Sequence, residues 1–194
     1  MKELFYEEST NLIDKQKEKK KYVILNFFTI FFYVVFILFL IYIIATFEFS
    51  KFKNGFTYVL FYILGSLVPL VFLFLTGFYM GKLRNKYYNE YDYTFVSGSI
   101  RISKIIMNKK RILLYKFDSK DIQKIGKYGS PEFEKYTKIP KTKVEYLTSN
   151  NKPTEDKDFY YIMARVEGEN KLLVIECTEN LITSILKFTN ITVL

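Results

Sequence analysis

The sequence has no histidine and no tryptophan, and its single cysteine, Cys177, has no second thiol to pair with. The absence of histidine removes the commonest general base, the Cys–His and Ser–His nucleophile pairs, and every histidine metal site. One cysteine excludes an intramolecular disulfide and a multi-cysteine metal site. Without tryptophan, any aromatic ring placed at a membrane–water boundary has to be tyrosine. What remains for chemistry is thin. Cys177 closes an apolar run and reads as a small buried hydrophobe. Ser103 and Lys104 are adjacent, and adjacent strand residues point to opposite faces. Glu155, Asp156 and Asp158 match no calcium-loop spacing, and Gly126, Gly129 and Gly168 form no phosphate-binding loop. The expectation is a protein that is not an enzyme and carries no metal and no cofactor.

Charge is missing from two long stretches. Residues 22–47 and 56–80 contain no Asp, Glu, Lys or Arg. At helical rise the first extends roughly 39 Å, against about 30 Å of bilayer hydrocarbon. A cleaved signal peptide has an apolar core of only about 7–15 residues, so two membrane-spanning helices are expected. Asn26, Thr29, Ser66 and Thr76 are the polar residues within them, and Pro69 follows Gly65-Ser66. Such residues usually satisfy themselves locally in membrane helices. Gly77 and Gly81 make one small-xxx-small pair, a motif for helix dimerisation and so a pointer to a homo-oligomer. The spans hold no charge of the sort that marks an ion path.

Charge that is present sets the orientation. Lys15, Lys17, Lys19, Lys20 and Lys21 precede the first run, and Lys82, Arg84 and Lys86 follow the second. The connecting loop has Lys51 and Lys53, partly offset by Glu48. Positive residues gather on the cytoplasmic side. The expected organisation is a cytoplasmic basic segment at 1–21, spans at 22–47 and 56–80, a short extracytoplasmic loop at 48–55, and a cytoplasmic domain at 81–194. Location is expected in the plasma membrane, with both termini inside. The abundance of Lys, Ile, Asn, Tyr and Phe points to AT-rich coding DNA and a low-GC bacterium. The sequon Asn190-Ile191-Thr192 carries no meaning at such a C-terminus.

After the spans the period shortens to that of strands. Tyr91, Tyr93 and Phe95 alternate with Asp92, Thr94 and Val96, and Ser97-Gly98 supplies a turn. Ile100 and Ile102 begin the next strand, Asn108-Lys109-Lys110 the next turn, and a third strand runs over 111–117. Ile122 and Ile125 suggest a short fourth. Residues 126–143 read as an insertion loop, 144–147 as a short strand, and 149–158 as a polar, mobile loop. A hairpin over 159–166 and 172–177 follows. Thr178 then stands where it can cap a helix bearing Leu181, Ile182, Ile185, Leu186 and Phe188 at helical spacing.

Antiparallel strands closed by one C-terminal amphipathic helix make an α+β domain behind the α-helical membrane hairpin. The order resembles bacterial pleckstrin-homology-like domains, in which a bent sheet is capped by a terminal helix. Tyr93-Thr94-Phe95 before Ser97-Gly98, Ile100-Arg101-Ile102, the basic turn Lys109-Lys110-Arg111 leading into 112–115, and Asp121-Ile122 carry that likeness. The whole chain is similar to small two-span membrane proteins of clostridia-like bacteria with this domain at the C-terminus.

The basic excess, 29 Lys and Arg against 20 Asp and Glu, favours an anionic partner. Behind a membrane span the bilayer is the nearer one, and nucleic acid is not expected. Lys82, Arg84, Lys86, Lys109, Lys110 and Arg111 are the candidate headgroup contacts. The leading reading is a non-enzymatic, membrane-anchored binding or scaffold module serving a protein partner or anionic lipid. The alternative is a small accessory subunit of a transporter or channel acting through its two helices.

Overall fold

The computed structural model describes residues 4–46, 55–140 and 142–189. The chain divides into two units, one of residues 16–87 and one of residues 1–15 with 88–194.

The first unit is a pair of long helices, α1 (Lys15–Thr46) and α2 (Phe56–Arg84). Both are long and apolar enough to cross a membrane, with mean hydropathies of 2.9 and 2.4 over their most apolar 18 residues. Their side chains are largely uncovered: Phe27, Ile44, Phe61 and Phe72 are each more than 60% exposed. Apolar surface on that scale is unstable against water and needs another medium or another chain around it. Both helices overrun the apolar stretches, because lysine, glutamine and arginine are good helix formers and carry the ladder into the flanks. Phe47 and the loop up to residue 54 lie outside the described residues.

Contacts between α1 and α2 run antiparallel. A methyl group added at Gly77 would lie 3.3 Å from the Tyr33 ring, and one at Gly81 would lie 3.5 Å from Thr29 Cγ2. The two glycines therefore let the helices of one hairpin approach each other. This overturns their reading as a dimerisation motif, since the small face is already filled from within. Thr29, Ser66 and Thr76 donate to carbonyls one turn earlier, Leu25, Tyr62 and Phe72, at 2.7, 2.8 and 2.7 Å. Asn26 behaves differently, accepting from Arg84 Nη1 at 2.7 Å.

The second unit holds two four-stranded sheets. In the first, β1 (Phe5–Ser9), β2 (Asn89–Val96), β3 (Ser99–Ile106) and β4 (Lys110–Asp118) stand in that order, all antiparallel. In the second, β5 (Ile122–Lys127), β7 (Asp158–Val166), β8 (Glu169–Cys177) and β6 (Lys143–Leu147) are neighbours in that order. Helix α3 (Pro131–Thr137) lies between β5 and β6 in sequence, and α4 (Glu179–Leu186) follows β8. Tyr93, Phe95 and Ile102 from the first sheet join Ile162, Leu173 and Ile175 from the second and Leu181 and Ile185 from α4 in the main core. Burial of each such side chain stabilises by about 1.5–3 kcal/mol. The opposite face of the second sheet buries Tyr161, Met163, Leu172 and Val174 under Phe133 of α3. Covered on both faces, β7 and β8 read as continuous apolar runs and not as alternating ones.

Four expectations are corrected. The N-terminal segment is not separate from the domain: Phe5–Ser9 pairs antiparallel with Ser9 opposite Asp92 and Phe5 opposite Val96. The insertion at 126–143 contains α3, capped by the Ser130 hydroxyl accepting from Phe133 N–H at 3.3 Å, with proline at its first position. The strands are not all antiparallel, because β6 runs parallel to β8, with β7 lying between them in sequence. Thr178 stands at the start of α4, but its side chain makes no capping bond there. Gly126 has its own reason to be glycine: a methyl group there would meet the Tyr161 ring at 2.8 Å. The sequon at 190–192 lies outside the described residues.

Candidate functional site

The turn between β3 and β4 is built on two non-glycine residues in left-handed backbone, Met107 and Asn108, both at φ 54°. Asparagine tolerates that conformation and methionine does not favour it. It is held from outside: Met107 N–H donates to the Tyr88 carbonyl at 3.2 Å. The Asn108 amide nitrogen donates to Glu90 Oε2 at 2.5 Å and its oxygen accepts from Lys15 Nζ at 3.0 Å. Lys15 and Glu90 are themselves paired at 3.1 Å. The turn is thus fastened to both places where the chain leaves and rejoins this unit.

The six basic residues singled out by sequence meet different fates. Arg111 is spent internally. It pairs with Asp92, whose side chain is 1% exposed, and reaches toward Glu7 at 3.9 Å. Its expected role at a headgroup is corrected on that ground, since moving away would leave a buried carboxylate uncompensated. Arg84 is held by Asn26 and Asn85 and lies over the Tyr22 ring at 5.7 Å. Lys82 and Lys86 are exposed on the helical unit. Lys109 and Lys110 are exposed at the turn and have no ion-pair partner among the described residues.

A second polar centre leaves little trace in the sequence. Glu8 of β1 pairs with Lys157 at 2.9 Å and accepts from Thr178 N–H at 3.0 Å and from its hydroxyl at 2.9 Å. Lys157 Nζ also donates to the Ser9 carbonyl at 2.6 Å. Next to this, Asn150 Nδ2 donates to the Asn11 carbonyl at 2.8 Å and to the fully buried Glu176 carboxylate at 3.1 Å, while its Oδ1 accepts from Ile13 N–H at 3.0 Å. The polar stretch 149–158, expected to be mobile, is therefore clasped to the N-terminal segment. One signal was available: Glu176 interrupts the apolar run 172–177, and a lone acid in such a place needs donors.

Chemistry finds little here. Burial pushes the Cys177 thiol well up, with Glu8 adding to the shift, so the nucleophilic thiolate is disfavoured. Burial lowers Lys104, but Ser103 lies on the other face of β3. Asp158 is taken by Lys127 at 3.2 Å. Among the described residues no group of three acidic or thiol side chains could hold a metal ion. Between the sheets, the Tyr115 phenol donates to Glu145, and burial together with that bond raises Tyr115. Burial acts to raise Glu145 as well, but Tyr115, Lys143 and Lys171 outweigh it and hold the carboxyl below its usual range. An open groove of about 780 Å³ is lined by Gln123, Lys143, Arg165, Glu169 and Asn170, none of them from the β3–β4 turn.

Two sheets and a terminal helix agree with the comparison to known families. The family model described as Bacterial PH-like domain (DUF6106) matches residues 2–194. The chain belongs to this family. The match covers β1, both long helices and the strands that follow them. PH-like domains are typically non-catalytic, and the fold itself assigns no ligand. No curated protein and no solved structure matches the chain.

Proposed function

We propose that this protein is a non-enzymatic binding module mounted in the plasma membrane by two spans, with its PH-like domain and both termini in the cytoplasm. One observation carries the reading: strand β1, before the helices, pairs with β2, after them. A domain assembled from both flanks of a helical pair holds those flanks on one side of any membrane the pair crosses. Lysine placement then favours the inner side. The uncovered apolar helices supply the anchor, and the clasp and strand pairing gather the chain before and after it into one domain. A mount of this kind suits presentation of a surface to a partner at the inner leaflet, either a protein or anionic lipid. The test is a reporter active only outside the cytoplasm, fused in turn to Met1 and to Leu194. Both fusions are expected to be silent, and activity of either overturns the topology.

A further inference from the structure

Resting on the binding-module reading and narrowing it to a protein partner, we infer that the outward face of the first sheet docks a polypeptide segment with acidic side chains set among apolar ones. Arg101 and Lys116 are its anchors. The inward face of that sheet is filled by Tyr93, Phe95, Ile100, Ile102 and Phe117, so the residues between them in sequence point the other way. Strand pairing sets Glu7, Thr94, Arg101 and Lys116 side by side in one row across β1 to β4. Arg101 and Lys116 are both exposed and directly opposed on neighbouring strands. Side chains so placed stand about 5 Å apart, and like charges there destabilise the pairing. A sheet asked only to fold is better served by an acid at either position.

The acids of this face are committed elsewhere. Glu7 and Asp92 face Arg111, and Asp118 faces Lys120 at 3.7 Å. Among the described residues neither Arg101 nor Lys116 has an ion-pair partner. Apolar surface frames the two cations. Phe5, 63% exposed, and Val96 lie in the row on one side, and Leu113, 56% exposed, lies in the row on the other. The outward face of the second sheet, by contrast, is buried under Phe133 of α3. Charge decides the occupant. A second copy meeting this face with its own would bring the same two cations against them. A lone phosphate would leave Phe5 and Leu113 uncovered. An acidic segment with apolar neighbours answers both features: the Arg101 fork suits a carboxylate, Lys116 adds a point charge, and the apolar groups cover the frame.

The experiment uses the full chain in phosphatidylcholine nanodiscs. The probe is a fluorescein-labelled peptide of glutamates interspersed with leucines, read by fluorescence anisotropy, and its control carries glutamine for every glutamate. The glutamate peptide is expected to bind about tenfold more tightly than the control, and more weakly as salt rises. Lys116→Glu gives the decisive reading. It puts opposite charges across the two strands, so it should raise the urea midpoint of the domain while weakening the glutamate peptide about tenfold. Equal binding of the two peptides, or unchanged binding in Lys116→Glu, overturns the proposal. Lost binding with a lowered midpoint overturns it as well, because the cations would then be holding the fold. So does equally tight binding of inorganic phosphate, or of vesicles containing phosphatidylglycerol, that is lost in the same variant. None of these readouts depends on which side of a membrane the domain occupies, so failure of the docking face and failure of the topology are separately visible.

Discussion

Two polar centres sit in one small domain, and they use their charge in opposite ways. At the clasp, Glu8, Lys157 and Glu176 are nearly or fully withdrawn from water, Asn150 is partly buried, and each group meets a partner contributed by a distant stretch of chain. At the β3–β4 turn, two lysines stand in solvent with no acid to meet them among the described residues. Polar groups that are desolvated and satisfied hold a fold in one arrangement, while those left exposed contribute little to it. The difference separates residues that keep the N-terminal segment in place from residues free to act on something else. Arg111 marks the border, adjacent to the turn in sequence yet committed to the fold.

The contrast breaks first at Arg111. Arg111→Ala leaves the Asp92 carboxylate buried without its cation, and is expected to cost about 3 kcal/mol. Pulse proteolysis of the detergent-solubilised chain across a urea series reads that loss, because the domain unfolds while the apolar helices stay in the micelle. Next comes Asn150→Ala. It removes the side-chain donor to Glu176 and both bonds to the N-terminal segment, for about 2 kcal/mol. Hydrogen exchange should then speed up at Ile13 N–H and leave the β7–β8 ladder slow. Unchanged exchange at Ile13 would mean that the segment is held by β1 pairing alone.

Periodicity carries much of this fold on its face. The two apolar helices, the β2–β3 and β7–β8 hairpins with Ser97-Gly98 and Glu167-Gly168 in their turns, and α4 are all written as spacing and turn chemistry. Helix α3 is written as well, in Ser130-Pro131, but only seven residues long it falls below the length at which period shows. Strand β1 is hidden for another reason. Phe5-Tyr6-Glu7-Glu8-Ser9 is too short to alternate clearly, and its partner lies 83 to 91 residues away across the helices. Long-range pairing of an edge strand leaves no local mark. The site was half legible: a basic turn can be read from sequence, but not that Asp92 takes Arg111, since strand register decides which charges face each other.

A smaller effect sharpens the contrast through pH. Glu145 lies between the two centres in character, partly exposed yet bonded by Tyr115 and Lys143. Its folded-state carboxyl titrates below its unfolded value, so the stabilisation is complete above about pH 4.3 and fades as pH falls through the lower folded value. Urea midpoints measured from pH 6 down to about 3 should fall less steeply in Glu145→Gln than in the parent chain. Equal slopes would assign the acid sensitivity to other carboxylates.

The smallest stability effect is expected at the two exposed lysines of the β3–β4 turn. Lys109→Ala/Lys110→Ala removes two charges that touch no acid, in a turn whose backbone is fixed by Tyr88, Glu90 and Lys15 through neighbouring residues. Its unfolding free energy should stay within about 0.5 kcal/mol of the parent, as for surface changes away from caps, cores and ion pairs. A slight gain is consistent with relief of repulsion between the two lysines. A loss approaching that of Arg111→Ala would mean that the lysines, too, are spent on holding the domain together. The turn would then be a second clasp, and its exposed charge would need no ligand to account for it.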